Sequence, residues 1–312
     1  MPQLCLGTVQ FGMEYGINNQ IDRQPVWEES LEMLDYAVTH GIHTIDTASA
    51  YGEAEYILGE FFKTYKNKQP VKVISKLRPN VIEEGNSAEK TIIAECEASL
   101  SRLGLDQLDG YLLHTPEYIY QKDILNALQR LKQQGYAKHI GISIYDLKEG
   151  YAALETGVMD YIQLPYSILD QRGIKEGFIP KAKQAGAKVF TRSAFLQGLF
   201  MMKEDGIPAH LKQAVPYLKT MERILSRYQA DTVSAILEFV MSQQEIDYLV
   251  FGVERKEQLE ENICKATKRQ VPRECMEELK SQIGSVEQSV IFPSLWAGGK
   301  KAQSIELKEK PV

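Results

Sequence analysis

An α/β fold built as a single (β/α)8 barrel is what this sequence predicts, on three observations. Short apolar runs alternate with longer stretches of helical period, and the alternation repeats eight times. No Pro-, Gly- or Ser-rich linker interrupts the repeat, as a two-domain reading would require. The chain has 312 residues, about the length such a barrel takes.

Taken in order, the strands are expected at residues 4–7, 43–46, 71–75, 110–114, 139–143, 161–164, 188–191 and 248–251, each a short run dominated by apolar side chains. Strands buried on both faces read this way. After the first, Trp27, Leu31, Leu34 and Val38 recur at helical intervals. After the third, Ile92, Cys96, Leu100 and Leu103 do the same, with Ser87 placed to cap that helix. Ile124, Leu128 and Leu131 mark the helix after the fourth strand, and Asp146 is the cap after the fifth. The seventh connection is long: residues 195–210 carry Gly198, Gly206 and Pro208, and a helix marked by Leu211, Val215, Leu218 and Leu225 follows. Residues 1–284 are thus assigned to the barrel and 285–312 to a tail packing on it. Ile291, Phe292, Leu295 and Trp296 crowd that tail with apolar surface that needs covering.

Composition narrows the function. At 44% hydrophobic and 25% charged, a chain of this size supports a sizeable core without staples. A net charge of −6 argues against a nucleic-acid or anionic-membrane partner. Cys5, Cys96, Cys264 and Cys275 form no CxxC pair and are expected as reduced, buried thiols. No apolar stretch reaches the roughly 18 residues of a membrane span, and the amino terminus has no signal-peptide pattern, so a cytoplasmic protein is expected. His40 and His43 read as HxxH but straddle a helix end and a strand start, so no metal is expected there.

In a barrel the carboxyl ends of the strands face the active site. Asp46 ends the second strand, Tyr51 follows in its loop, Lys76 comes just after the third and His114 ends the fourth. Each has an ordinary structural reading alone: an Asx turn, a rim tyrosine, a surface lysine, a satisfied histidine. Together on adjacent strand ends they form a coherent set. An ammonium at Lys76 would lower the phenol pKa of Tyr51, Asp46 would balance the buried lysine, and His114 would polarise a carbonyl oxygen.

At these residues the sequence resembles the aldo-keto reductase family. GIHTIDTASAYGEAEYILG (41–59) resembles its signature around the aspartate and tyrosine, VISKL carries its lysine in Lys76, and YLLHTP its histidine in His114. GISIYD, IQLPYSILD, RSAFLQGL and FGVERKEQLEENI resemble the family's fifth to eighth strand motifs. The resemblance implies a TIM barrel that binds NADPH or NADH and reduces an aldehyde or ketone, with Tyr51 as general acid, Lys76 and Asp46 tuning it and His114 orienting the substrate. No GxGxxG follows any expected strand, and Gly298 and Gly299 lack the setting of a phosphate loop.

By the same resemblance Gly7, Thr8, Ser143 and Gln163 lie near the nicotinamide ribose or carboxamide. Ser193, Phe195, Gln197 and Gly198 match the loop that wraps the pyrophosphate. Gly252, Glu254, Arg255 and Gln258 match the turn and helix start after the eighth strand, and Glu261 with Asn262 the adenine contacts. The tail would fold over the active face, with Phe292 or Trp296 lining the substrate pocket, or else cover the outer helices or pair with another subunit.

Three departures stand out. Ile144 replaces the asparagine that holds the carboxamide. Arg192 stands where many members place an aromatic ring, and brings positive charge beside a ring that becomes cationic on oxidation. At the adenosine end Glu254 suits a 2′-hydroxyl while Arg255 suits a 2′-phosphate; family habit leans the choice slightly to NADPH. Two alternatives remain: a nicotinamide-binding subunit without turnover, and a metal-dependent hydrolase using Asp46 and His114.

Overall fold

A computed structural model describes residues 1–19, 21, 23–65, 70–83, 85–268 and 270–296. The last part of the expected tail, with Gly298 and Gly299, lies outside the described residues. Eight parallel strands close on themselves: β1 (Gln3–Gly7), β2 (Thr44–Asp46), β3 (Lys72–Lys76), β4 (Leu108–Leu113), β5 (Ala137–Ser143), β6 (Tyr161–Pro165), β7 (Lys188–Arg192) and β8 (Tyr248–Gly252), with β8 paired back to β1. Every strand lies within two residues of its expected range. His114 falls one residue beyond β4 rather than at its end.

Helices Trp27–Thr39, Ala54–Thr64, Ala88–Leu103, Lys122–Gln133, Leu147–Thr156, Phe178–Gln184, Thr232–Met241 and Lys256–Lys268 surround the strands. The expected caps form: Ser87 Oγ accepts from the Lys90 amide at 3.4 Å and Asp146 Oδ1 from that of Lys148 at 3.0 Å. The buried face of Trp27–Thr39 is rotated from the expected one. It is made by Ser30, Met33, Leu34, Ala37 and Val38, while Trp27 stays at the surface and donates its indole N–H to Glu53 at 3.3 Å. In the seventh connection residues Ala209–Ala214 form a 3₁₀ turn that buries Leu211, and the α-helix starts only at Val215, followed by Pro216. Proline suits that first turn because its missing N–H has no intrahelical partner there.

Two hydrophobic layers result. The larger lies between strands and helices; the smaller fills the barrel itself with Cys5, Ile74, Leu112, Tyr161, Phe190, Tyr248 and Val250. Phe190 and Tyr248 stack there at 4.3 Å. Side chains of a strand alternate, so the residue two positions after each plug residue also points inward, one layer higher. Apart from Val250, itself in the plug two residues after Tyr248, those residues are Gly7, Lys76, His114, Gln163, Arg192 and Gly252. The apolar plug is thus the floor on which the polar groups stand.

Cys5, Cys96 and Cys275 are free and buried, but Cys264 is exposed on the outer side of its helix, against expectation. Among the described residues no helix is long and apolar enough to cross a membrane. The described tail buries Val290, Ile291, Phe292 and Trp296. Contacts of Ser289 with Gln213 and of Glu287 with Tyr217 tie it to the seventh connection.

Candidate active site

Lys76 is fully buried, and its ammonium donates to Asp46 Oδ2 at 2.7 Å, to the Thr47 carbonyl at 2.8 Å and to the Tyr51 hydroxyl at 3.5 Å. The other Asp46 oxygen accepts from Gln163 Nε2 at 2.7 Å, and Gln163 Oε1 in turn accepts from Ser143 Oγ at 3.1 Å. Both carboxylate oxygens are therefore used, and side chains link β5 and β6 across the barrel to β2 and β3. The His114 ring meets the Tyr51 ring edge-on, centroids 5.8 Å apart.

Tyr51 is held by backbone packing. Its loop lies so close to Gly12 that a Cβ there would sit 1.7 Å from the Tyr51 carbonyl oxygen; at Gly52, φ +53°, an added Cβ would sit 2.1 Å from the Gly12 carbonyl oxygen. Glycine is needed at both positions for the loop to seat.

The electrostatics correct one expectation. Burial and the Asp46 carboxylate push the Tyr51 phenol up from its ordinary value, with Arg192 opposing. The pull of Lys76, itself matched by Asp46 at 2.7 Å, does not offset that rise. Burial lowers Lys76 itself, against the pull of Asp46. His114 is pushed down to about 3 by burial, Lys76 and Arg192, so its imidazole is neutral at ordinary pH. The phenol therefore keeps its proton until a base appears, and the ammonium is at hand to stabilise the phenolate left behind.

From Tyr51 and His114 a cleft runs past β1, β7 and β8 to the helix Lys256–Lys268. These features match known proteins. The chain matches the Aldo/keto reductase family over residues 3–283. It belongs to that family. An NADH-specific methylglyoxal reductase of Escherichia coli (strain K12) is 27% identical over 298 residues, spanning 84% of this chain and 89% of that protein. D-arabinose 1-dehydrogenase of Saccharomyces cerevisiae is 31% identical over 137 residues, 42% of this chain and 41% of that one. Among solved structures, an aldo-keto reductase from Bacillus halodurans in its holo form superposes with a TM-score of 0.73 at 21% identity, covering 92% of this chain and 94% of the other. That likeness is one of fold.

In this aldo-keto reductase the cleft wall gathers nearly all residues named from the sequence: Gly7, Thr8, Asp46, Tyr51, His114, Ser143, Arg192, Ser193, Phe195, Gln197, Gly198, Gly252, Glu254, Arg255, Gln258, Glu261 and Asn262. Lys76 and Gln163 stand behind the wall and act on it through Asp46 and Tyr51. Trp296 is the correction: it does not line the cleft but is buried with its indole N–H on the Val290 carbonyl at 3.2 Å, satisfied within its own segment. Phe292 also misses the wall; it backs Tyr145, which does line it, ring centroids 5.8 Å apart.

Sequence reasoning missed Gln10, Tyr15, Asn18 and Tyr145 on the wall. Of these only Tyr145 carried a signal, lying two residues past Ser143 in the same loop. Tyr15 accepts from Gln197 Nε2 at 3.1 Å, and the Ile17 amide donates to the Gln197 carbonyl at 3.1 Å, joining the loops after β1 and β7.

The cleft fits the extended nicotinamide dinucleotide that the family uses. Buried Gln10 Oε1 and His114 Nδ1, on residues of its wall, have no hydrogen-bond partner among the described residues. At Gly252 an added Cβ would lie 2.1 Å from Gln10 Oε1, so glycine there lets the Gln10 side chain seat on the cleft wall. Glu254 is buried, its amide donating to Gln258 Oε1 at 2.9 Å and its carboxylate accepting from Gln258 Nε2 at 3.2 Å. Among the described residues no three His, Cys, Asp or Glu side chains gather as metal ligands.

Proposed function

We propose that this aldo-keto reductase is a cytoplasmic NAD(P)H-dependent carbonyl reductase in which Tyr51 donates the proton. The observation that carries the reading is Lys76 held between Asp46 at 2.7 Å and the Tyr51 hydroxyl at 3.5 Å, at the closed end of a long cleft. Free cysteines fit a reducing compartment.

Gly7, Thr8, Ser193, Gln197 and Gly252 would hold the reduced dinucleotide along the cleft, and when bound it would supply a hydride, two electrons with one hydrogen, to the carbonyl carbon. The chain's own residues handle the oxygen. His114, neutral, donates a hydrogen bond to the carbonyl and holds it toward Tyr51. As negative charge grows on that oxygen, the Tyr51 hydroxyl releases its proton to it, giving the alcohol. The phenolate then gains the Lys76 ammonium as its counter-charge, an interaction worth little to the neutral phenol, so it favours the transition state over the ground state. Asp46 keeps Lys76 charged and in place.

At the adenosine end the reading moves from the slight NADPH lean to NADH. A buried carboxylate at Glu254 suits a 2′-hydroxyl better than a 2′-phosphate, and the Escherichia coli relative is named NADH-specific. Tyr51→Phe tests the whole: kcat for a simple aldehyde falls more than 100-fold, while the Kd for NADH stays within threefold and lies below that for NADPH. A loss under tenfold sinks the role of Tyr51, and absence of wild-type turnover favours the non-catalytic subunit.

A further inference from the structure

Arg192 ends β7 one layer above the apolar plug, and in an eight-stranded barrel β7 lies across the mouth from β3 and β4. It therefore faces Lys76 and His114 from the opposite rim. Its charge is felt by Tyr51, Lys76 and His114 alike.

The guanidinium is held firmly. It lies on the Tyr145 ring at 4.1 Å, donates Nη2–H to the Ile144 carbonyl at 3.0 Å and Nη1–H to Ser193 Oγ at 3.3 Å. A guanidinium has five N–H donors, so most of its hydrogen-bonding edge is still available.

What it lacks is a carboxylate. The contrast lies next door: Arg172 lies on Phe292 at 4.6 Å, on the other side of the Tyr145–Phe292 pair, and makes bonds of 2.8 and 2.7 Å to Asp170. Arg102 likewise has Glu55 at 2.7 Å. Among the described residues Arg192 has no acid within ion-pair distance. A half-buried, pre-oriented cation without a counter-charge favours an anion brought by a ligand.

The direction of the side chain says which ligand. Two of its three contacts, Ile144 and Tyr145, lie on the β5 side and the third is its own neighbour Ser193, whereas the rest of the cleft extends the other way, past β1 and β8. We infer that Arg192 captures an anionic group on the carbonyl substrate, so that the substrate class is an aldehyde or ketone bearing a carboxylate or phosphate. The inference rests on the carbonyl-reductase reading and deepens it.

The test compares matched substrates: succinic semialdehyde with its methyl ester, and glyceraldehyde 3-phosphate with glyceraldehyde. The wild type favours at least one anionic member at least tenfold in kcat/KM, and which pair shows it separates carboxylate from phosphate. Arg192→Gln removes that preference, mostly through KM. Succinate, which has no carbonyl, is also titrated calorimetrically into protein saturated with NADH. Binding to the wild type that weakens at least tenfold in R192Q supports the inference even where no aldehyde is reduced, in which case the failure belongs to the carbonyl-reductase reading. Equal preferences in wild type and variant, or succinate binding that R192Q leaves unchanged, overturn it. So does an R192Q protein whose NADH affinity falls while its anionic preference survives, since the guanidinium would then serve the dinucleotide.

Discussion

Replacing Asp46 with asparagine removes one charge and almost nothing else. The amide can still accept from Lys76, and its new N–H₂ is met if Gln163 turns over, since Ser143 Oγ can reverse its hydrogen bond. The Lys76 ammonium, fully buried, is then left without its counter-charge. At the observed 2.7 Å the lost attraction is about 6 kcal/mol at an effective dielectric of ~20. Lysine has a cheaper exit: giving up its proton at pH 7, against an ordinary pKa near 10.4, costs about 4.6 kcal/mol. The smaller figure caps the loss, so Asp46→Asn destabilises by roughly 3 to 4.6 kcal/mol at pH 7.

The charge origin shows in the pH dependence. Burial already holds Lys76 below its ordinary value, and the substitution lowers it further. Between that folded value and the unfolded one, the unfolded chain binds more protons, so stability of the variant rises with pH across that window. The gap to wild type therefore shrinks by up to about 1.4 kcal/mol per unit as pH rises from 7 toward 9. Urea unfolding followed by circular dichroism at each pH measures it. A gap that does not change with pH refutes the charge argument and assigns the loss to hydrogen-bond geometry.

Two further outcomes follow from the same packing. Gly12→Ala puts a Cβ 1.7 Å from the Tyr51 carbonyl oxygen, so the Tyr51 loop must shift by more than 1 Å to relieve it; kcat falls on the order of 100-fold, and steady-state rates with dinucleotide binding intact check it, a loss under threefold counting against the seat. His114, held down to about 3 in the folded protein, takes up a proton only on unfolding between that value and about 6.5, so wild-type stability drops on acidification by up to ~1.4 kcal/mol per unit, less where cleft water screens it. His114→Asn lacks this component, and identical acid slopes in wild type and variant would show that another group is responsible.

The barrel was legible because its strands are buried on both faces and so read as unbroken apolar runs, which the eye finds within two residues. Helix phase was less so: Trp27 looks like a core residue by spacing, yet it opens its helix at the surface, where Glu53 takes its N–H. Strand ends carry a period of two, so Asp46, Lys76 and His114 could be placed on one rim without coordinates. The sign of the Tyr51 shift could not. Sequence names the lysine and the aspartate, but only the burial of the phenol and the 2.7 Å separation of that pair tell that the lysine's pull is outweighed. Trp296 misled for a similar reason, its N–H finding the Val290 carbonyl six residues back instead of a pocket.

Loops obey neither period, and there the site depends on contacts no local pattern announces. Ser193, Leu196 and Gln197 adopt φ of 62°, 47° and 53°, left-handed conformations that side chains other than glycine rarely hold, each at a cost of about 1 kcal/mol or more. Held by Leu196 N–H to Ser193 O and Gly198 N–H to Phe195 O, this turn aims the Gln197 side chain at Tyr15 and its carbonyl at the Ile17 amide. Gly198 follows at φ +88°, where an added Cβ would lie 2.8 Å from that of Asn18. The strain is therefore spent on joining two loops 182 residues apart in sequence over the cleft. A regular helix start after β7 would be more stable in isolation and would leave the cleft without that cover, so the strained turn belongs to the site and not to the barrel.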